Sequence, residues 1–418
     1  MKVSSSIISG GFVAPPSKAA SQRAIICACL SAGGSLVKNF SQCADVLDTV
    51  AACSTLGAAL ALHGKDLQVA GGGFFAPREE INCGESAATL KMLLPIMGLF
   101  GQEVTLGGGA NLKKRHMGHI EEALSKLGMR AKTSGFAPIT VSGALDFERA
   151  SMPPNIGTQF LSGLLMGMPL MEHDCFLEMP KAPYAKENLR LTLRIMEKFS
   201  VQAKASEEMD VVFCPAPQQY VGCEYEVAGD FALSAYLLGA GAINGKVKAH
   251  GLDVQMPSAD RRICEILQQM GTFMIIDEEE KSVTASAGEL TGIGVDASDI
   301  GGLVPLLAVL GCFAHGSTVI KNVGRMRRRE PDRVACIAKN LRLMGGIVEE
   351  DEDLLTIRQS SLVGAKVHAE GDNKVAMALA VAALGAKGET GIAGGECIAK
   401  GYPNFFSDLE KIGGQVQK

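Results

Sequence analysis

Tryptophan is absent from the 418 residues, tyrosine occurs five times, and aromatic residues make up only 5% of the chain. So few flat side chains exclude the stacking platforms that hold single-stranded bases. A formal net charge of -5 likewise excludes a basic coat that tracks a phosphate backbone. Histidine is scarce, and His116 and His119, which follow Arg115 at helical spacing, have no third ligand nearby, so no metal is expected. The twelve cysteines include no CxxC pair; only Cys27 and Cys29 lie close together, within an apolar helical run, and all twelve are expected to be reduced core residues. No apolar run reaches membrane-spanning length without interruption by glycine or charge. Residues 1–13 form a Ser-rich, strand-like piece without the apolar centre of a signal peptide. These absences point to a soluble, cytoplasmic protein with neither nucleic acid nor membrane as partner.

What the chain has is glycine, 49 of them, and a recurring unit. A helical pattern ends in a hydrophobic residue and glycine, and alternating, strand-like sequence follows. The ending occurs at Leu56-Gly57, Leu127-Gly128, Met270-Gly271, Met344-Gly345 and Ile412-Gly413, with a sixth, degenerate copy at Phe199-Ser200. Six similar units are therefore expected, each glycine serving as a left-handed helix cap. A second kind of helix is apolar on every side, as at residues 232–242, 303–313 and 375–384, and must lie at the centre of a domain. Segments such as EVTLGG, STVIKNV and LLTIRQ are expected as strands around those helices. Turns at Ala14-Pro15-Pro16 and Ala228-Gly229-Asp230 divide the chain into residues 15–228, holding three units, and a discontinuous domain of 1–14 with 229–418, holding the other three.

On this mildly acidic background, residues 324–333 read GRMRRREPDR and concentrate Arg325, Arg327, Arg328, Arg329 and Arg333 around Glu330 and Asp332. Guanidinium groups fit phosphate and carboxylate oxygens two at a time, so the cluster reads either as an anion site or as a solvated helix start. Arg325 and Arg328 read either as partners of Asp332 or as surface residues, rather than as ligands. A second cationic piece, Lys18 with Arg23, opens a helix after Pro16-Ser17, where exposed backbone N–H groups favour phosphate.

The residues from Pro16 to Arg23 resemble the GSKSxSxR opening of the 3-phosphoshikimate 1-carboxyvinyltransferase (EPSP synthase) family. The resemblance continues through CGESAATLK at residues 83–91 (family GNSGTTMR) and KKRHMGHIEEALSKLG at 113–128. It extends to NIGTQFLSGLLM at 155–166, the Ala182 to Tyr184 segment, GDFALSAYLLGAGA at 229–242, RRREPDR at 327–333 and CIAKGYPNFF at 397–406. It implies an α/β fold, a two-domain inverse α/β barrel in which each domain holds three βαβαββ units around central buried helices. It also implies a monomeric enzyme without cofactor that binds small anionic substrates. Such an enzyme transfers the carboxyvinyl group of phosphoenolpyruvate (PEP) to the 5-hydroxyl of shikimate 3-phosphate by addition and elimination. By position, the resemblance assigns Lys18, Glu330 and Lys400 to catalysis. Arg115, Gln159, Arg333 and Lys374 are assigned to PEP, and Arg23, Thr158 and Arg329 to shikimate 3-phosphate.

The chain also departs from the family pattern. Ala19, Ala87, Ala88 and Gly157 replace hydroxyl or loop residues, Glu85 replaces an asparagine, and Lys181 replaces a serine. Arg329 and Lys374 exchange one cation for another. The family reads D-I-P-D-L where this chain has Asp299-Ile300-Gly301-Gly302-Leu303, so Gly302 replaces the aspartate that accepts the proton of the attacking hydroxyl. Asp299 is expected as a helix N-cap. The departures leave two alternatives: a diverged carboxyvinyltransferase for another alcohol, or a non-catalytic anion-binding paralogue.

Overall fold

The helix stops have the backbone that the sequence requires. Gly57, Gly128, Gly271, Gly345 and Gly413 have φ of +103, +81, +102, +88 and +103°, and Ser200, without the freedom of glycine, takes the same left-handed position at +65°. The structure is a computed structural model that describes residues 1–153, 156–179 and 185–417; Lys181 and the segment from Ala182 to Tyr184 lie outside them. It divides into an inserted unit, Pro16–Ala228, and a discontinuous unit, Met1–Pro15 with Gly229–Lys418.

Among the described residues there are six four-stranded sheets, three in each unit. All share one plan: a first strand pairs in parallel with a second, which pairs antiparallel with a fourth, which carries the third on its far edge. In the sheet of Ile81–Asn82, Val104–Gly107, Arg130–Lys132 and Ile139–Ser142, for example, Ile81 faces Leu106 in parallel and Val104 faces Val141 antiparallel. In this sheet a helix lies between first and second strands and another between second and third, which gives βαβαββ.

Three of the six sheets are completed by strands from far along the chain. Glu224–Glu226 returns at the end of the inserted unit to pair with Gly34–Lys38, Tyr225 against Val37. Lys2–Ser4 is the fourth strand of the sheet containing Glu389–Ala393 and Gln415–Gln417. The N-terminal piece is thus two strands, not one, because Ile8–Val13 joins a different sheet, parallel to Gly245–His250. The chain leaves the discontinuous unit after that strand. Where it returns, the amide of Asp230 donates to Pro15 O at 2.7 Å and that of Gly229 to Gly251 O at 2.8 Å.

Three apolar helices occupy the centre of each unit. In the discontinuous unit these are Phe231–Asn244, Val304–Phe313 and Asn373–Gly385, all buried along most of their length. Leu306, Leu307, Val309 and Leu310 are each 0% exposed, and such side chains contribute roughly 1.5–3 kcal/mol each before the entropy of ordering is subtracted. Their counterparts in the inserted unit are Lys18–Leu30, Ala87–Ile96 and Thr158–Gly167. The last two pack so closely that a Cβ at Gly163 would lie 1.9 Å from Met92 O. Amphipathic helices such as Glu187–Lys198 and Arg262–Gln269 cover them, burying Leu189, Thr192, Ile195 and Met196 in the first and Ile263, Ile266 and Leu267 in the second. The twelve cysteines are free; eleven are buried, and Cys223 is half-buried.

Candidate functional site

In both units side chains draw the beginnings of the three central helices together. In the inserted unit the amide nitrogen of Gln22 lies within hydrogen-bond reach of Thr49, Ser86 and Thr89. Ser86 caps Ala87–Ile96 and Ser17 caps Lys18–Leu30, each accepting from a backbone amide of the first turn. Arg23 links the third helix: Nη2 donates to Ser162 Oγ at 2.8 Å, Nε to Thr192 Oγ1 at 2.7 Å, and Nη1 to Ala19 O at 2.8 Å. At 3% exposure Arg23 is a buried cation, and burial pulls its guanidinium down to about 10.

Two further cations singled out in the sequence, Lys18 and Arg115, belong to this unit. Lys18 is exposed, its Nζ 2.7 Å from Asp45 Oδ2. Arg115 is exposed at the end of the short turn Leu112–Lys114, and Glu85 holds that turn, accepting from Leu112 N at 2.8 Å and Asn111 N at 3.3 Å. The glutamate that replaces the family asparagine thus pins the loop that carries Arg115. Thr158, 7% exposed, and the exposed Gln159 open the third helix. Lys91, which no sequence assignment included, lies one turn into Ala87–Ile96; burial, and then the charge of Arg115, lower its ammonium below the ordinary lysine range. Its place as the last residue of CGESAATLK, opposite an arginine in the family pattern, was the signal available in the sequence.

In the discontinuous unit Arg333 is 7% exposed, and its Nε donates to Asp372 Oδ2 at 2.8 Å. The other oxygen of Asp372 caps Asn373–Gly385 by accepting from Lys374 N and Val375 N at 2.8 and 3.2 Å. Lys374 Nζ donates to Ala232 O at 3.1 Å, in the first turn of Phe231–Asn244, and lies 5.3 Å from the ring centre of Tyr236. The hydroxyl of Tyr236 in turn donates to Gly302 O at 2.9 Å, just before Val304–Phe313. Arg333, Lys374 and Tyr236 therefore tie the three helix starts to one another. Each start presents backbone N–H groups and the positive end of a helix dipole, and the cations reinforce both, so the arrangement favours anions.

The arginine cluster divides in a way that its sequence did not reveal. Arg325 and Arg328 are exposed, and it is Arg327 that pairs with Asp332, at 3.5 Å, and with Glu350, at 3.1 Å, while also donating to Asp351 O and Glu352 O. Asp332 caps Arg333–Leu343 through Val334 N and Ala335 N. Glu330 and Arg329 are exposed, as is Lys400 at the end of the turn Gly395–Lys400. Asp299 is not the expected N-cap: it lies in a bend after the strand Gly294–Asp296, and Leu303 occupies the cap position without a side-chain bond. The carboxylate beside Gly302 is that of Asp260, in the turn Ala259–Arg261; a Cβ built on Gly302 would lie 3.7 Å from Asp260 Oδ1. Burial raises the carboxyl of Asp260 from 3.8 to about 6, with Lys374 opposing the shift and Asp230 adding to it. Asp260 belongs to no motif, and its importance is purely spatial.

A family model described as EPSP synthase (3-phosphoshikimate 1-carboxyvinyltransferase) matches residues 4–409. The chain is 33% identical to the 3-phosphoshikimate 1-carboxyvinyltransferase of Methanococcus maripaludis (strain C7), over 98% of this chain and 97% of that protein. With the protein of the same name from Methanocella arvoryzae the identity is 34%, over 100% and 99% of the two chains. Among solved structures, EPSP synthase from Acinetobacter baumannii superposes with a TM-score of 0.87 at 22% identity, covering 100% of this chain and 99% of that one. The enolpyruvyl transferase NikO from Streptomyces tendae does so at 0.80 with 16% identity, covering 100% and 98%. At these identities the structural matches speak for the fold.

Proposed function

The chain belongs to the EPSP synthase family, and from that premise we propose that it transfers the carboxyvinyl group of PEP to the 5-hydroxyl of shikimate 3-phosphate with release of phosphate. The observation that carries this reading is the full-length family match, residues 4–409. The cations gathered at the helix starts of both units supply the chemistry that the reaction needs.

The reaction brings together two phosphates and two carboxylates, and their charge must be balanced before carbon chemistry can begin. Protonation of the PEP methylene makes C2 electrophilic, the alcohol adds there, and the tetrahedral intermediate expels phosphate. Fixed cations and helix ends stabilise the charge that develops on the departing phosphate, and groups able to hold and release protons serve both steps. We assign PEP to Arg115, Gln159, Arg333 and Lys374, with Lys91 added beside Arg115. Arg23, Thr158 and Arg329 serve shikimate 3-phosphate; Arg23 does so chiefly through its charge, since three of its donors are committed to Ser162, Thr192 and Ala19. Glu330 exchanges the proton with the PEP methylene, and Lys18 and Lys400 balance charge as it forms. The protein acts on these small anions as a cytoplasmic monomer, independently of nucleic acid and membrane.

Phosphorus NMR of a mixture of protein, PEP and shikimate 3-phosphate tests the proposal. Loss of the PEP resonance with equal growth of inorganic phosphate and of a new enol-ether product is expected. An unchanged spectrum, with both ligands shown by calorimetry to bind, would refute shikimate 3-phosphate as the acceptor.

A further inference from the structure

Addition of an alcohol to PEP requires a group that takes the hydroxyl proton, and the place where the family pattern has an aspartate is Gly302. The discontinuous unit has several other carboxylates near its helix starts, and most are already committed. Asp230 caps Phe231–Asn244, accepting from Leu233 N at 3.0 Å. Asp372 accepts from Arg333 and from two helix amides. Asp299 has a partner of its own and lies outside the cap position.

Asp260 differs. It is partly buried, and its carboxylate accepts no hydrogen bond among the described residues. An aspartate Cβ at position 302 would have Asp260 Oδ1 as its one neighbour within 4 Å among the described residues, so this carboxylate borders the space in front of Gly302. The charged and titratable groups that act on it are Lys374 and Asp230, and it acts in turn on Tyr236, whose phenol burial holds well above its ordinary range.

We propose that Asp260 is the general base that accepts the proton of the attacking hydroxyl, from beside the space left by Gly302. The assignment rests on the transferase reading above. In the addition, the acceptor O–H bond breaks and its oxygen bonds to C2 of PEP while the proton passes to the Asp260 carboxylate. The electron pair of the PEP double bond takes a proton at the methylene from Glu330. In the elimination, that carbon returns a proton to Glu330, the bond from C2 to the phosphate oxygen breaks with its electrons leaving on phosphate, and the proton on Asp260 departs with the phosphate. No oxidant or further reactant is consumed. A carboxyl titrating near 6 is ionised at neutral pH yet basic enough to share a proton in the transition state.

Asp260→Asn is expected to lower kcat by about 10²–10⁴-fold while KM for PEP changes only a few-fold. The acid limb of the wild-type kcat profile is expected near pH 6. Adding Gly302→Asp to the Asn variant restores at least tenfold of the lost rate and moves that limb, since among the described residues a Cβ at 302 meets only an ordinary contact, 3.7 Å from Asp260 Oδ1. A Gly302→Asp restoration also excludes misfolding as the cause of the loss. If Asp260→Asn keeps kcat within threefold and leaves the acid limb in place, the proposal is overturned. Should the wild-type protein fail to turn over shikimate 3-phosphate, the transferase reading fails and the assignment falls with it, whereas wild-type turnover that Asp260→Asn leaves intact overturns the assignment alone.

Discussion

Replacing Asp260 by asparagine should stabilise the protein at neutral pH even as it removes activity, and the pH dependence of that gain is a sharp test. The carboxyl titrates at 3.8 in the reference state and at about 6 in the folded chain, so folding favours its protonated form. Below the reference value the carboxyl is neutral in both states and carries no penalty. As pH rises from about 4 to about 6 the unfolded chain ionises freely while the folded one resists, and stability is lost across that window. Above it the penalty is complete and constant. The difference of roughly two pKa units, at about 1.4 kcal/mol each, sets a ceiling near 3 kcal/mol; partial exposure of the side chain brings the expectation to about 1–3 kcal/mol. Asparagine has the shape of the neutral acid and bears no such penalty. Thermal unfolding of wild type and variant is compared at closely spaced pH values, expecting no difference near pH 3.5 and a variant melting roughly 2–10 °C higher above pH 7. A difference that is flat between pH 4 and 8, or a variant that is less stable at pH 7.5, would refute the reasoning.

Other substitutions test the ties between helix starts. Arg333→Met leaves Asp372 buried without its cation and should cost about 3–5 kcal/mol by denaturant unfolding of the discontinuous unit; a loss under 1 kcal/mol would show that the pair is dispensable. Arg23→Lys keeps a charge but cannot reach Ser162, Thr192 and Ala19 together, and a loss of roughly 2–4 kcal/mol is expected for the inserted unit, read in the same way. Arg115→Gln removes the charge that assists burial in depressing Lys91, so the Lys91 midpoint, followed by NMR, should rise toward the ordinary lysine value while PEP binding weakens. A midpoint that stays put would separate the two cations.

Periodic features were legible in the sequence because they are local. Hydrophobic-Gly endings at Gly57, Gly271, Gly345 and Gly413 need a left-handed residue, and helices without a polar face, such as Val304–Phe313, can only be central. The closure of the sheets by Lys2–Ser4 and Glu224–Glu226 was not legible, since pairing partners hundreds of residues apart leave no local trace. Spacing likewise could not distinguish the arginines: Arg327 takes Asp332 and Glu350 because the short helix Gly324–Arg327 sets it against the strand Ile347–Glu350. Asp299 was misread because an acidic residue shortly before an apolar helix resembles a cap, whereas the turn through Gly301 and Gly302 intervenes. Asp260 could not be found at all from pattern, because what distinguishes it is its place beside Gly302 and the absence of a hydrogen-bond donor to it among the described residues.

The account is tested most directly by the rate of phosphate release from PEP and shikimate 3-phosphate together, with each substrate alone as control. Turnover that requires both, at about 1–10³ s⁻¹ per molecule, is the predicted result. Release no faster than with either substrate alone would contradict it.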